Sequence, residues 1–388
     1  MSSFFKLKKK IKILRIIHSL DPKWGGPPNA IIDHSKYLIN LGLEVDILVN
    51  DEIEKKHPKV LGLNIFKMGK GQLGQYGFNL KMFIWLYKNR KKYDFFIIHG
   101  LWSFYSLLAR ILVPKKFFIF THGQLDPYFG LNFSKSLKKK IYWSLIEKKN
   151  LLKCKSILVT TKHEKMLLNQ TYVNTKNIKK NIIRYGIFKK NINKKRIKKI
   201  FHKKYPFLKN KNFLLFLGRF HSKKGCDILI NSIKFLKERK IEFYFLLAGP
   251  ESKEKNYFKK ISKNLGLQQN IYWSDAIYGD IKFGAILASD AMVLPSHGEN
   301  FGVALVESLS MSRPVITTNK VNIYKDLLKY NAGIVSKDNL KSFTKSLIYF
   351  NSLTKTQRKK LSQNSLKCFN MNFNLGLKDK DTLKIFRK

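Results

Sequence analysis

The sequence predicts an α/β protein of two doubly wound domains facing each other across a cleft. Short apolar runs alternate with segments of helical periodicity, and they do so twice over, in two halves of the chain. Glycines recur where strands hand over to helices, at Gly25 and Gly26, at Gly218 and at Gly302. A highly basic, weakly patterned stretch, 189–212, lies between the halves and reads as a linker. The domains so defined are 1–188 and 213–365, with a basic helical tail, 366–388, placed to cross back onto the first.

At 388 residues and 44% hydrophobic composition, the chain is long and apolar enough for two ordinary cores. Its 3 cysteines, Cys154, Cys226 and Cys368, form no CxxC pair, which argues against a zinc site or disulfide framework and favours a cytoplasmic setting. No apolar run approaches the roughly 18 residues of a membrane span. The start, Met1 to His18, is basic and then apolar, but Arg15 and His18 interrupt the apolar part and no small-residue cleavage site follows. It reads as a basic leader feeding a strand.

Lysine and arginine number 76 against 25 acids, a formal net charge of +51. Nucleic acid would need a concentrated basic face, and no helix-turn-helix, zinc-finger or RNA-recognition signature is present, so none is expected as a partner. Two explanations stay open. One is compositional drift, because the lysines run the whole length. The other is attraction to an anionic membrane surface, at roughly 1 kcal/mol per well-placed cation.

In order, Ile11 to Ile17 is a strand, Asn29 to Leu41 a helix closed by Gly42, and Glu44 to Val49 the next strand. Leu63 to Met68 is a strand within a Gly-rich region, and Asn79 to Lys91 an amphipathic helix. The strands Phe95 to His99 and Phe117 to Phe120 are each followed closely by His-Gly, at His99-Gly100 and His122-Gly123. Ligands of open parallel sheets bind at carboxyl ends of strands. His99 reads as a packed residue, whereas His122, in Thr-His-Gly-Gln-Leu-Asp-Pro, stands evenly between packing and a site. Ser134 to Cys154 reads as one basic helix with Leu137, Ile141, Leu145, Leu151 and Leu152 facing inward and lysines outward, a solvated face or a surface for anionic lipid. Ile157 to Thr160 and Ile182 to Tyr185 complete the first half.

The second half opens with the strand Phe213 to Leu217 and the loop Gly218-Arg219-Phe-His-Ser-Lys-Lys224-Gly225 before the helix Cys226 to Glu238. Two glycines and several cations at a strand exit suit phosphate, with most weight on Arg219, whose planar fork can bind two oxygens. Phe243 to Ala248, Ile271 to Trp273, the helix Lys282 to Ala288 and the strand Ala291 to Leu294 lead to Pro295–Pro314. There a turn at Glu299-Asn300-Phe301-Gly302-Val303 feeds a helix, so unpaired N–H groups point out of it. Glu299 and Glu307, able to accept from sugar hydroxyls, flank it. A plain strand-to-helix turn with a capping Glu is the other reading.

These motifs together resemble the retaining glycosyltransferases of family 4, with the GT-B fold of two Rossmann-like domains, over nearly the whole chain. The resemblance is strongest from Gly279-Asp280-Ile281-Lys282 through the Glu299–Glu307 pair to Pro314-Val315, and Thr121 to Pro127 with Lys320 to Tyr324 looks like a subgroup that builds exopolysaccharide and lipopolysaccharide. It implies a nucleotide-sugar donor, no cofactor and no metal, and a lipid-linked or cell-surface glycan acceptor at the inner face of the membrane. It implies that Arg219 and Lys224 hold the diphosphate, with Gly218 beside them. Glu307 would bind ribose and Glu299 the transferred sugar, helped by backbone from Asn300, Phe301, Gly302 and Val303. His122 would contact that sugar, and Gly25 and Gly26 would let the first loop close over the diphosphate. Tyr185-Gly186 and Met311-Ser312 depart from the family pattern. A nucleotide-sugar epimerase on the same fold is the enzymatic alternative, and a basic nucleic-acid-binding protein the non-enzymatic one.

Overall fold

Apolar runs without alternation need cover on both faces, which an all-parallel sheet with helices on each side supplies. The computed structural model describes residues 10–21, 26–130, 136–171, 173–377 and 380–387, and both halves meet that need. Strands β1 (Lys12–Ile17), β2 (Glu44–Val49), β3 (Leu63–Lys67), β4 (Phe95–His99), β5 (Phe117–Phe120), β6 (Ser156–Val159) and β7 (Lys180–Ile182) form one sheet, in the order β3-β2-β1-β4-β5-β6-β7. Strands β8 (Phe213–Leu217), β9 (Tyr244–Ala248), β10 (Ile271–Ser274), β11 (Ala291–Leu294), β12 (Val315–Thr318) and β13 (Gly333–Ser336) form the other, in the order β10-β9-β8-β11-β12-β13. Every pairing between these strands is parallel. In each sheet the order reverses beside the first strand, at β1/β4 and at β8/β11.

The chain divides into 1–185 with 375–388, and 186–374. Residues 189–212 are therefore no linker. They contain the helix Lys194–Lys204, whose Ile197 and Phe201 are buried and are followed by buried Tyr205 and Leu208. That apolar stripe at spacings of four, four and three is hidden among the eleven lysines and arginines of 189–212. Gly284 lets the helix Gly279–Ala288 approach so closely that a β-carbon there would meet the Ile197 carbonyl. The tail also divides. Helix Lys355–Cys368, opened by a Thr354/Gln357 capping box, stays with the second unit. Phe386 packs in the first unit against Phe95 and Phe118, and Thr382 accepts from the Tyr37 hydroxyl at 3.3 Å.

The basic helix of the first half has a register opposite to the expected one. Leu137, Ile141, Leu145 and Leu152 are exposed by 71%, 50%, 59% and 58%, and of the five only Leu151 is buried. The row facing the core is Trp143, Glu147, Asn150 and Leu151. The cause is a polar anchor. Glu147 accepts from the Trp102 N–H at 3.2 Å and from the Ser106 hydroxyl at 3.3 Å, and the Asn150 amide donates to Ser106 at 3.0 Å. Trp102 immediately precedes Ser103, the N-cap of helix Phe104–Leu112, and Ser106 lies in that helix's first turn. A π-helical stretch, Trp143–Glu147, joins Leu137–Tyr142 to Lys148–Lys153 and sets Glu147 beneath that turn.

Burial raises the Glu147 carboxyl to about 7 despite those hydrogen bonds. A raised carboxyl pKa means that the folded state holds its proton longer than the unfolded one, so stability falls as pH rises from about 4.5 to about 7. We expect Glu147→Gln to remove that slope. Against wild type it should gain about 2–3 kcal/mol between pH 4.5 and 8 in urea unfolding.

Candidate functional site

Where strand order reverses, the crevice outside the carboxyl ends of the two central strands is the natural ligand position. In the second unit these strands are β8 and β11, which run out into the loops Gly218–Gly225 and Pro295–Gly302. The loops are fastened to each other through their backbones. Gly225 has φ +67° and lies on the Pro295 carbonyl with no room for a β-carbon, so both conformation and contact require glycine. The Ser296 hydroxyl and the His297 N–H donate to the Lys223 carbonyl at 2.7 and 2.9 Å.

This fastening brings Lys224 and Glu299 into a direct ion pair. Burial pushes the Glu299 carboxyl up, but the charges of Lys224 and Lys223 outweigh it and hold it below its ordinary value. Glu307, on helix Val303–Ser310, pairs with Lys282 of helix Gly279–Ala288 at 2.6 Å. Gly302, at φ +71°, is the N-cap of the Glu307 helix and offers no side-chain acceptor to its first turn. Asn300 accepts from the Asn322 amide at 3.3 Å. Phe301 is buried with its ring edge-on to Phe373 at 5.6 Å, so it anchors the turn and leaves only backbone for a ligand. Val303 begins the helix. Gly218 donates to the Ala248 carbonyl at 3.1 Å, while Arg219 beyond it is exposed and makes no ion pair among the described residues.

In the first unit the reversal lies at β1/β4. His99 ends β4, and its Nδ1 lies 2.9 Å from Nε2 of His122, two residues beyond β5. His122 has φ +48°, a left-handed conformation uncommon for a residue with a side chain. Gly25 lies outside the described residues, and Gly26 opens the helix Gly26–Asn40, three residues before the expected start. Sequence reading missed three participants. Lys282 is 25 residues from the acid it pairs with. His297 stands between Asp338, at 2.7 Å, and Asp227, at 3.2 Å. Arg15 lies buried in β1, and its one signal was a cation inside an apolar strand. No group of three His, Cys, Asp or Glu side chains among the described residues could hold a metal ion, and none of their helices is long and apolar enough to cross a membrane.

Two parallel Rossmann-like sheets, each reversing its order beside its first strand, have the GT-B fold. Residues 197–367 match the family described as "Glycosyl transferases group 1". The chain is similar to the uncharacterized glycosyltransferase MJ1178 of Methanocaldococcus jannaschii, 33% identical over 153 residues, which are 37% of this chain and 40% of that protein. It is similar to the O-antigen biosynthesis glycosyltransferase WclY of Escherichia coli, 33% identical over 104 residues, 27% of each. The alignments thus span less than half of these relatives' length. The structure resembles that of Anabaena HepE in complex with UDP-glucose, with a TM-score of 0.70 at 15% identity over 97% of this chain and 98% of that one.

The two aspartates around His297 raise its imidazole to about 9, the hydrogen bond to Asp227 contributing most. A raised histidine stabilises fully below about pH 6.5 and loses that contribution as pH climbs through about 9. The stability difference between wild type and His297→Gln, read from urea midpoints, should therefore shrink by about 1–2 kcal/mol between pH 6.5 and 9.5.

Proposed function

We propose that this protein is a retaining glycosyltransferase that moves a hexose-type sugar from a nucleoside diphosphate sugar to a lipid-linked or cell-surface glycan. The observation that carries the reading is the pair of half-buried ion pairs, Lys224–Glu299 and Lys282–Glu307, at the order reversal of the second sheet. Each pair couples a cation suited to phosphate with an acid suited to hydroxyls. A diphosphate arriving at Lys224 and exposed Arg219 takes over the cation's partner role. Glu299 is then released to accept from the transferred sugar, and Glu307 accepts from the ribose. Backbone N–H groups from Asn300 to Val303, with Gly218 across from them, complete the cradle. His122 contacts the transferred sugar.

Chemistry follows from charge. As the bond from the anomeric carbon to the diphosphate oxygen breaks, negative charge grows on the leaving group, and fixed cations with N–H dipoles stabilise it. The acceptor hydroxyl attacks from the same face, so configuration is kept without a covalent intermediate. Glu299, held ionised and bound by Lys224, serves recognition and is not assigned as a nucleophile. The likeness to HepE, solved in complex with UDP-glucose, and to WclY, a glycosyltransferase of O-antigen biosynthesis, supports the donor and acceptor classes.

The reading includes an anionic membrane surface for the first unit. Leu137, Ile141, Leu145 and Leu152 lie outward on one helix with exposed Lys138, Lys139, Lys140, Lys148, Lys149 and Lys153 around them. Such a face sinks its apolar row into the acyl boundary while its lysines meet lipid phosphates.

Two measurements test these assignments. Arg219→Ala and Lys224→Ala should each weaken UDP or GDP binding by about tenfold or more in calorimetry, as expected for a lost charge-assisted contact; unchanged affinity would remove the diphosphate assignment. In flotation at physiological salt, the protein should rise with phosphatidylglycerol-containing vesicles and not with phosphatidylcholine alone. Ile141→Glu with Leu145→Glu should abolish this at unchanged melting temperature, and a wild type that ignores anionic vesicles would end the membrane reading.

A further inference from the structure

Arg15 is a cation buried in the middle of β1 with no carboxylate among its partners. Its Nη1 lies 3.3 Å from the Ile31 carbonyl, 3.0 Å from Nδ1 of His34 and 3.0 Å from the Ser35 hydroxyl. Its Nε donates to Nε2 of His99 at 3.1 Å, and its Nη2 is buried with no hydrogen-bond partner among the described residues. His99 reaches in turn to His122. The chain of groups runs from the centre of the sheet to a largely buried imidazole at a strand exit.

The direction of every proton in that chain is fixed by its first member. A guanidinium donates and never accepts, so Nε2 of His99 must carry the lone pair. A neutral imidazole has one N–H, which then sits on Nδ1 of His99 and donates to Nε2 of His122. Nε2 of His122 is thereby an acceptor, and its proton is left on Nδ1. Neutrality of both rings follows from their surroundings. Burial, and then the charge of Arg15, hold His99 well below its ordinary value and His122 at about 3. Nδ1 of His122 makes no hydrogen bond among the described residues and is not a buried orphan, so it is the end of the chain open to a ligand.

We propose that Arg15 and His99 are positioning residues that lock His122 into the Nδ1–H tautomer, so that it meets a bound sugar only as a hydrogen-bond donor, to a hydroxyl or other oxygen lone pair. This rests on the assignment of His122 to the transferred sugar. It adds that the selectivity of His122 is set two residues away, in the centre of the sheet. His99, which in sequence reads as packing alone, becomes the link that transmits it. The left-handed backbone at His122 is what keeps its ring in line with His99.

The test is the tautomer itself, with substitution of the link. In 15N-histidine-labelled full-length protein, long-range 1H–15N spectra should show His122 protonated on Nδ1 and bare on Nε2, the signals being assigned by their loss in His122→Gln. His99→Glu can accept from Arg15 but cannot donate to His122. It should give the buried cation a counter-ion and keep or raise the melting temperature, yet move the His122 proton to Nε2 and lower kcat/KM for donor turnover at least about tenfold. His99→Gln, with its carbonyl toward Arg15 and its N–H₂ toward His122, should restore both the tautomer and most of the rate. A wild-type His122 protonated on Nε2 overturns the proposal, whatever the variants do. So does a His99→Glu protein that has the reversed tautomer and an unchanged rate. If His122→Ala leaves donor turnover untouched, the sugar assignment fails, and the spectra still decide the lock.

Discussion

The second unit's chemistry depends on a backbone contact with no room for a side chain, Gly225 on the Pro295 carbonyl. Two loops that leave neighbouring strands would otherwise diverge, each with its own N–H and C=O groups to satisfy. The contact, with two hydrogen bonds onto the Lys223 carbonyl, makes them one rigid piece. Lys224 and Glu299, 75 residues apart, meet because of it. His297 adds an electrostatic clasp from Asp227 and Asp338 on either side of the same turn. Rigid loops hold the cations they carry at fixed separation, which a site that selects among anions requires.

The first unit pays for its own order differently. A guanidinium buried without a carboxylate gives up hydration worth several kcal/mol, which neutral imidazoles, a hydroxyl and a carbonyl return in part. Burial lowers Arg15 to about 9, so it remains a cation at neutral pH. Replacing it with an apolar residue would suit the core better, since β1 is otherwise apolar at 13, 14, 16 and 17. The polar group is explained by what it orients, because only an obligate donor at that point gives the histidine chain a single direction.

The parallel strands are legible in sequence because burial on both faces leaves uninterrupted apolar runs. Edge strand β13 is not, since its first three residues are only half-buried and carry no such run. Helix Lys194–Lys204 hides in its own lysines, whose count suggests a linker until the spacing of Ile197, Phe201, Tyr205 and Leu208 is followed. The helix after residue 136 misleads for a subtler reason. Its leucines are spaced like a buried stripe, and the deciding force is polar, the acceptor that Glu147 offers to the first turn of another helix. Apolar periodicity cannot register a carboxylate's preference for a helix N-terminus 45 residues away. In the candidate site, Arg219, Lys224, Glu299 and Glu307 stand out in sequence because each lies at a strand exit or on the helix that follows. Lys282, Asp227 and Asp338 are not, because their relation to the site exists only in three dimensions.

Charge sets the scale on which these residues matter. With 76 basic and 25 acidic side chains, anions are drawn to this protein over its whole surface, and attraction alone selects nothing. Salt screens exposed charges beyond about 8–10 Å, so the bulk of the +51 acts on encounter. Selection falls to the places where acids have been set against the excess. Glu299 and Glu307 are 18% and 13% exposed in their side chains, each covering one lysine, while Arg219 in the Gly218–Gly225 loop is left exposed. An anion without hydroxyls would displace the acids and leave two half-buried carboxylates unmatched. One that carries hydroxyls beside its phosphates satisfies both, and that difference, more than the net charge, is what this arrangement can recognise.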